Sequence, residues 1–251
     1  MFRELAKRAL IRASRTSVGQ AAIHAAVMPH PSVTRFENVD AWPETIEGFE
    51  DLAFLFTSSQ LDHGIASLAL DEAAYLHRVV RRLERATIVE IGRFKGGSTL
   101  LIAAAMDPEA ELYSYDLHVE LPAGFSGEGV DRALGAALRR YGLDARVHLI
   151  VGDSRTAEPP PRPCDLVFVD GDHSYAGARA DYERWRRFLR TGGHLLFHDA
   201  ADPRRFGAYS KDVAALAAEI ERDDAAAFVR RGGAGSIVHF VRTERPDGFA
   251  R

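Results

Sequence analysis

The chain has 251 residues, 46% of them hydrophobic and 27% charged, with a formal net charge of −4. This suits one large core, so the expectation is a single α/β domain with extra terminal elements, and the weak acidity gives no global attraction for nucleic acid or an anionic membrane. Cys164, the one cysteine, excludes an internal disulfide and a cysteine-rich zinc site and fits a reducing, cytoplasmic setting. No run of about 18 apolar residues is present to span a bilayer.

At the start, Phe2, Leu5, Ala6, Ala9, Leu10 and Ala13 recur at helical spacing, while Arg3, Lys7, Arg8, Arg12 and Arg15 take the other faces. The first thirty residues carry +4, leaving −8 for the rest. This amphipathic basic helix is expected to pack on the domain or on a second subunit, as in a homo-oligomer. A targeting role or a weak peripheral membrane contact is the competing reading. Pro29 to Leu61, with "FENVDAWPETIEGFEDLAFLF", has no sustained period and reads as a covering segment in which specificity would lie. Residues 1–65 are therefore taken as a helical N-terminal extension with its covering segment, and residues 66–251 as the ligand-binding domain.

In "SLALDEAAYLHRVVRRL" a helical stripe of Leu68, Leu70, Ala73, Leu76, Val79, Val80 and Leu83 leads into the first strand. Five short apolar runs then alternate with helical patterns: "TIVEI", "ELYSYD", "VHLIVGD", "DLVFVD" and "HLLFHD" are the strands. The helices are expected at Ser98 to Met106, Val130 to Tyr141 and Ala176 to Leu189. Such alternation predicts βαβ units in a Rossmann-like, doubly wound, mostly parallel sheet. "AAFVRR" and "SIVHFVR", around a turn at Gly232, Gly233 and Gly235, predict a C-terminal antiparallel hairpin.

Ligands of such sheets bind at the carboxyl ends of the strands, so chemistry is sought there. The first strand opens into "EIGRFKGGST". Its glycines at 92, 96 and 97 miss the dinucleotide pattern at Phe94. Lys95 precedes the glycine pair instead of following it, which excludes the nucleoside triphosphate loop. What remains is acid-x-Gly-x-x-x-Gly-x-Ser at Glu90, Gly92, Gly96 and Ser98. Asp116 ends the second strand at the offset where an acid meets ribose hydroxyls, a feature shared by nicotinamide and S-adenosylmethionine (SAM) ligands. Asp153 and Ser154 close the third strand, where a helix cap competes with a ligand role.

These residues, with "DLVFVDGDHSYAGARADYERWRRFLRTGGHLLFHD", make the chain resemble the class I SAM-dependent methyltransferases, in particular methyltransferase family 24, which includes macrocin-type sugar O-methyltransferases. The resemblance covers Thr87 to Ala200 best. It implies an enzyme that transfers a methyl group from SAM to a hydroxyl of a small-molecule or glycan acceptor. Glu90 would address the SAM ammonium, and the turn of Gly92, Gly96 and Ser98 its carboxylate. Asp116 would meet the ribose, Asp153 and Ser154 the adenine, and Asp170 stands at the same cleft. Members that bind magnesium place an aspartate at the fourth strand end and an acidic pair at the fifth, which fall here on Asp170, His198 and Asp199. His198 departs from that pattern, and an imidazole suits manganese, iron or zinc better than magnesium, so the cation stays open. Without one, Asp170, Asp172 and Asp199 are expected to crowd, to raise at least one carboxylate pKa and to lean on His173 or His198 for compensation.

Related sugar methyltransferases place a base three residues after the position of Asp170. His173 is the expected base, its pKa near working pH, with capping of the following helix as the alternative. Two other functions stay in view: a metal-dependent hydroxylase of the same fold using Asp170, His198 and Asp199, and a SAM-binding protein without catalysis. His63 and His118 lie near plausible site edges.

Overall fold

The computed structural model describes residues 42–56, 65–118, 126–206 and 210–243. The basic N-terminal helix and His63 lie outside them. Seven strands form one sheet in the order β3-β2-β1-β4-β5-β7-β6. They are β1 (Thr87–Ile91), β2 (Glu111–Asp116), β3 (Val147–Val151), β4 (Cys164–Val169), β5 (Leu189–Phe197), β6 (Phe228–Ala234) and β7 (Ile237–Arg242). β1 to β5 pair in parallel, and β7 runs antiparallel to both β5 and β6. The doubly wound sheet with its terminal hairpin is therefore as the sequence predicts. All five residues of β1 are buried, as expected for a central parallel strand covered on both faces.

The longer helices among the described residues are α1 (Leu70–Val80), α2 (Gly97–Ala105), α3 (Gly127–Arg140), α4 (Tyr175–Trp185) and α5 (Lys211–Asp223). Strand side chains alternate between two buried clusters. Ile88, Leu112, Phe168 and Leu196 join α1, α2 and α3 on one face. Val89, Val167, Phe197 and Phe240 join α4 and α5 on the other. α2 is apolar nearly all round and correspondingly buried.

Three readings need correction. Leu70 is 61% exposed at the first turn of α1, outside the buried stripe. Gly232 and Gly233 lie inside β6, across an irregularity between Arg230 and Gly232, and the turn itself is Gly235 and Ser236. The described part of the covering segment, 42–56, buries Trp42, Leu52, Phe54 and Leu55 in the α1 to α3 cluster. Tyr141 and Arg140 of α3 hold it by bonds to the carbonyls of Pro43 and Trp42. These described residues are thus part of the core.

The chain runs β1, β2, β3 to one side and returns to β4 and β5 on the other, so the strand order reverses between β1 and β4. The turn after β1 is fixed there by two contacts. Gly92 has φ +84, and a Cβ on it would stand 2.2 Å from the carbonyl oxygen of Asp170. Arg93, its side chain fully buried, reaches Asp131 of α3 through Nε at 2.8 Å and Nη2 at 2.6 Å. Its Nη1 donates to the carbonyls of Ser114 at 2.9 Å and Ile150 at 3.0 Å. One guanidinium therefore ties the turn to β2, β3 and α3. Breaking a buried, bidentate pair leaves charge and carbonyls without partners. Arg93→Met is expected to lower unfolding free energy by about 3–5 kcal/mol, measured by urea denaturation. A loss below about 1 kcal/mol, the range of an exposed pair, would show that the turn is held by its backbone alone.

Candidate active site

The carboxyl ends of all five parallel strands open into one cleft of about 550 Å³. Gly92, Asp116, Asp153, Ser154, Asp170, His173, His198 and Asp199 all line it. The cleft also takes in Phe94, His118, Asp172 and Asp181. None of residues 42–56 lines it, so the described part of the covering segment does not shape the cleft. Phe94, His118 and Asp199 are non-glycine residues with φ near +50 (+46, +50 and +51), and all three face the cleft. Backbone strain of this kind is held where surrounding structure over-determines it.

On the β1–β2–β3 side the loop is built on carboxylates. Asp116 accepts the N–H groups of Arg93 at 2.9 Å, Phe94 at 3.1 Å and His118 at 2.7 Å. Three of about four lone-pair positions are then occupied, leaving room for one further donor. Glu90 is fully buried and does not line the cleft; it accepts from Thr99 and Ser114, both at 2.6 Å. Burial pushes its pKa up, against the pull of those hydroxyls. In this arrangement Glu90 braces α2 against β2 behind the turn. Gly96 and Ser98 also sit behind the cleft wall, Gly96 as the N-cap of α2 with φ +82 and Ser98 buried in its first turn.

At the end of β3, Asp153 chelates the Arg155 guanidinium, and Ser154 donates to Asp181 of α4 at 2.5 Å. Asp181 is 3% exposed, and burial pushes its carboxyl up from 3.8 to about 6.

The β4–β5 side is a compact cluster. His173 Nε2 lies 2.9 Å from Asp199 Oδ2 and 3.6 Å from Asp170 Oδ1. His198 Nδ1 lies 2.9 Å from Asp170 Oδ1 and 3.2 Å from Asp199 Oδ2, and its Nε2 is 3.1 Å from Glu72 Oε2 of α1. Asp170 and Asp199 hold His173 up to about 9. Burial opposes charge on His198, but Asp170, Asp199 and Glu72 reverse that and raise its pKa strongly. Asp199 and Glu72 are driven down despite burial, Glu72 to about 2.

Two expectations are thereby corrected. Asp199, and Asp172 through the Ser174 N–H, are driven down and not up, while the cluster leans on His173 and His198 as expected. His173 without a cation titrates above neutral pH, not near it. It does not cap α4 either: Ser174 accepts from Gly177 at 3.1 Å, and Asp172 accepts the Ser174 N–H at 2.9 Å.

The cluster's chemistry fits a divalent cation. Asp170, His173, His198 and Asp199 each offer a ligand atom, all within 4.8 Å of one another. Ligands on opposite sides of an ion at about 2.1–2.2 Å span a little over 4 Å. Asp199 Oδ1 is buried without a hydrogen-bond partner. A doubly charged ion would also match the charge of the two imidazole protons it displaces.

A family model described as a methyltransferase domain matches residues 89–200, from the middle of β1 to just past Asp199. The matched stretch is a SAM-dependent methyltransferase domain. Catechol O-methyltransferase of Niastella koreensis is 24% identical over 172 residues, 65% of this chain and 72% of that protein. The solved O-methyltransferase TomG from Streptomyces achromogenes, in complex with SAM, superposes with a TM-score of 0.55 at 18% identity, covering 83% of this chain and 95% of that one. The O-methyltransferase from Bacillus cereus in complex with SAH gives 0.51 at 15% identity, covering 92% and 99%. At these identities the two structures establish a shared fold. No helix among the described residues is long and apolar enough to cross a membrane.

The methyltransferase sequence pattern pointed to Asp170, His173, His198 and Asp199 but not to Glu72, Arg93, Asp131 or Asp181. Glu72 carried one signal, its place at the third position of α1, where it accepts the Ala69 N–H at 2.7 Å as a helix-start acid does. Asp181 yields a pH prediction. Its protonated form contributes stability that is full below pH 3.8 and is lost as pH rises through about 6. Asp181→Asn, which keeps an acceptor for Ser154, should therefore stabilise the protein more at pH 8 than at pH 5, by on the order of 1 kcal/mol. Thermal unfolding at both pH values checks this, and an equal gain at each would mean that Asp181 stays ionised in the fold.

Proposed function

We propose that this methyltransferase transfers the methyl group of SAM to a hydroxyl of a small molecule or glycan, with a divalent cation beside the acceptor. The observation that carries this reading is the common cleft: the glycine turn and Asp116 stand on one wall, and an Asp–His–His–Asp cluster stands on the other. The similarity to a catechol O-methyltransferase supports oxygen as the acceptor atom. The sugar or natural-product class rests on the resemblance to macrocin-type enzymes. Residues 66–251 then form the catalytic domain, and the extension before them is packed into the same core through 42–56.

On the donor side, the turn at Gly92, which has no side chain, leaves the amino-acid end of SAM room to lie against its backbone. Asp116 spends its remaining acceptor capacity on the ribose, and Asp153, Ser154 and Asp181 face the adenine. On the acceptor side, Asp170, His198 and Asp199 would hold a divalent cation. When bound, that ion supplies charge that lowers the pKa of the acceptor hydroxyl and orients it. A cation engaging Asp170 and Asp199 would take from His173 the carboxylates that keep it protonated, and Nε2 would then be the group to take the hydroxyl proton. The acceptor oxygen gains the methyl carbon as the carbon–sulfur bond breaks, and SAH leaves. An imidazole among the ligands favours manganese or another first-row ion over magnesium.

Calorimetric titration of the full chain with SAM and SAH is expected to show binding of both. Absence of binding at millimolar ligand would end the proposal. Against a panel of sugar and phenol acceptors, His173→Ala should lower turnover by roughly 10²–10⁴-fold with SAM affinity little changed, and equal losses in both would make His173 structural. EDTA should abolish turnover, and manganese should restore it.

A further inference from the structure

We infer that Glu72 positions His198 for the divalent cation, fixing its proton on Nε2 so that Nδ1 is the coordinating nitrogen. The inference rests on the cation reading of this site and names the residues that set its geometry.

Glu72 enters from α1, outside the acidic and histidine motifs, and is 5% exposed. Both carboxylate oxygens are pinned by backbone donors from separate parts of the chain. Oε2 accepts the Ala69 N–H at 2.7 Å, and Oε1 accepts the Ser236 N–H at 2.6 Å. The carboxylate therefore cannot turn away from His198 Nε2, 3.1 Å from Oε2. A neutral imidazole has one N–H, and a fixed carboxylate at Nε2 keeps it there. The lone pair is then on Nδ1, the nitrogen that stands 2.9 Å from Asp170 Oδ1 and 3.2 Å from Asp199 Oδ2. Nδ1 and two aspartate oxygens converge as a mixed nitrogen and oxygen donor set, which suits a first-row transition ion better than magnesium.

The β6–β7 turn is the backstop. Gly235 has φ +55, and a Cβ on it would lie 2.4 Å from Cγ and Oε1 of Glu72, so no larger residue fits beside that carboxylate. Ser236 also accepts the Asp199 N–H through Oγ at 3.2 Å and the Ala200 N–H through its carbonyl at 2.9 Å. One turn thus holds the carboxylate behind His198 and the left-handed backbone of Asp199 together.

The test uses the full chain and manganese as the probe. Calorimetry, with free manganese followed by electron paramagnetic resonance, is expected to show tighter binding of Mn²⁺ than of Mg²⁺ by the wild type. Glu72→Gln should weaken Mn²⁺ binding roughly 10–100-fold while SAM affinity is retained. If the variant folds and binds Mn²⁺ as tightly as the wild type, Glu72 is only a helix-start acid and the inference falls. If the wild type itself binds neither ion, the cation reading falls and takes this inference with it, leaving SAM binding unaffected. Should Glu72→Gln fail to fold, a crystal structure of the Mn²⁺-loaded wild type decides. Coordination through His198 Nδ1 with Glu72 on Nε2 supports the inference, and coordination through Nε2 overturns it.

Discussion

The contact between Gly92 and the carbonyl of Asp170 is the joint on which the site depends. It sits where the strand order reverses, between β1 and β4. The Asp170 N–H donates to the Ile91 carbonyl at 2.8 Å, and the Gly92 N–H donates to the Tyr115 carbonyl at 2.8 Å. The glycine turn and Asp170 are therefore back to back, with no room for a side chain between them. Divergence of the chains on either side of a switch point makes the crevice; this contact fixes how wide its floor can be. The left-handed glycine is needed for that reason, apart from any ligand.

The two walls are held by different means. The donor wall is tied by main-chain groups: Asp116 gathers three N–H donors, and Arg93 gathers two strand-end carbonyls. The acceptor wall is tied by side chains that carry opposite formal charges, with His173 and His198 set among Glu72, Asp170 and Asp199. Burying such groups is costly unless they are paired, and here each imidazole has carboxylates at hydrogen-bond distance. The raised pKa values of both histidines are the outcome of that pairing. Strain at Phe94, His118 and Asp199 is confined to the same cleft, where the network can hold it.

Much of the frame was legible because its signals are local. "TIVEI" and "ELYSYD" coincide with β1 and β2, and the alternation of strands with helices predicted the parallel order. The glycines at 92 and 96 were found by spacing, and the cluster residues by their place at strand ends. What the sequence concealed depends on contacts between distant positions. Glu72 meets His198 and Ser236 across 126 and 164 residues, and nothing near position 72 marks it except a helix start. Arg93 occupied a variable place in the glycine pattern, and its burial shows only once α3 is laid beside β2. Glu90 matched the motif acid but braces α2 from behind, since motif spacing gives position on a strand and not the direction of a carboxylate. The pKa of His173 departs from expectation for a related reason: the ordinary imidazole value belongs to a solvated ring, whereas two carboxylates face this one.

The methyltransferase match ends at residue 200, yet the cluster it contains is not held by that stretch alone. Glu72 precedes it, and Gly235 and Ser236 follow it. The matched region supplies the donor turn and the groups that converge on the acceptor wall. α1 and the terminal hairpin supply the backing that orients His198 and Asp199. The hairpin's antiparallel pairing with β5, from His194 opposite Val241 to Phe197 opposite Val238, brings its turn to the carboxyl end of β5. A histidine at position 198 is thus tolerable because a carboxylate from outside the matched region accepts its second N–H. With an apolar residue in place of Glu72, the same imidazole would face two aspartates with Nε2–H buried and unpaired. The departure from an acidic pair at the end of β5 and the presence of Glu72 on α1 are, in physical terms, one feature.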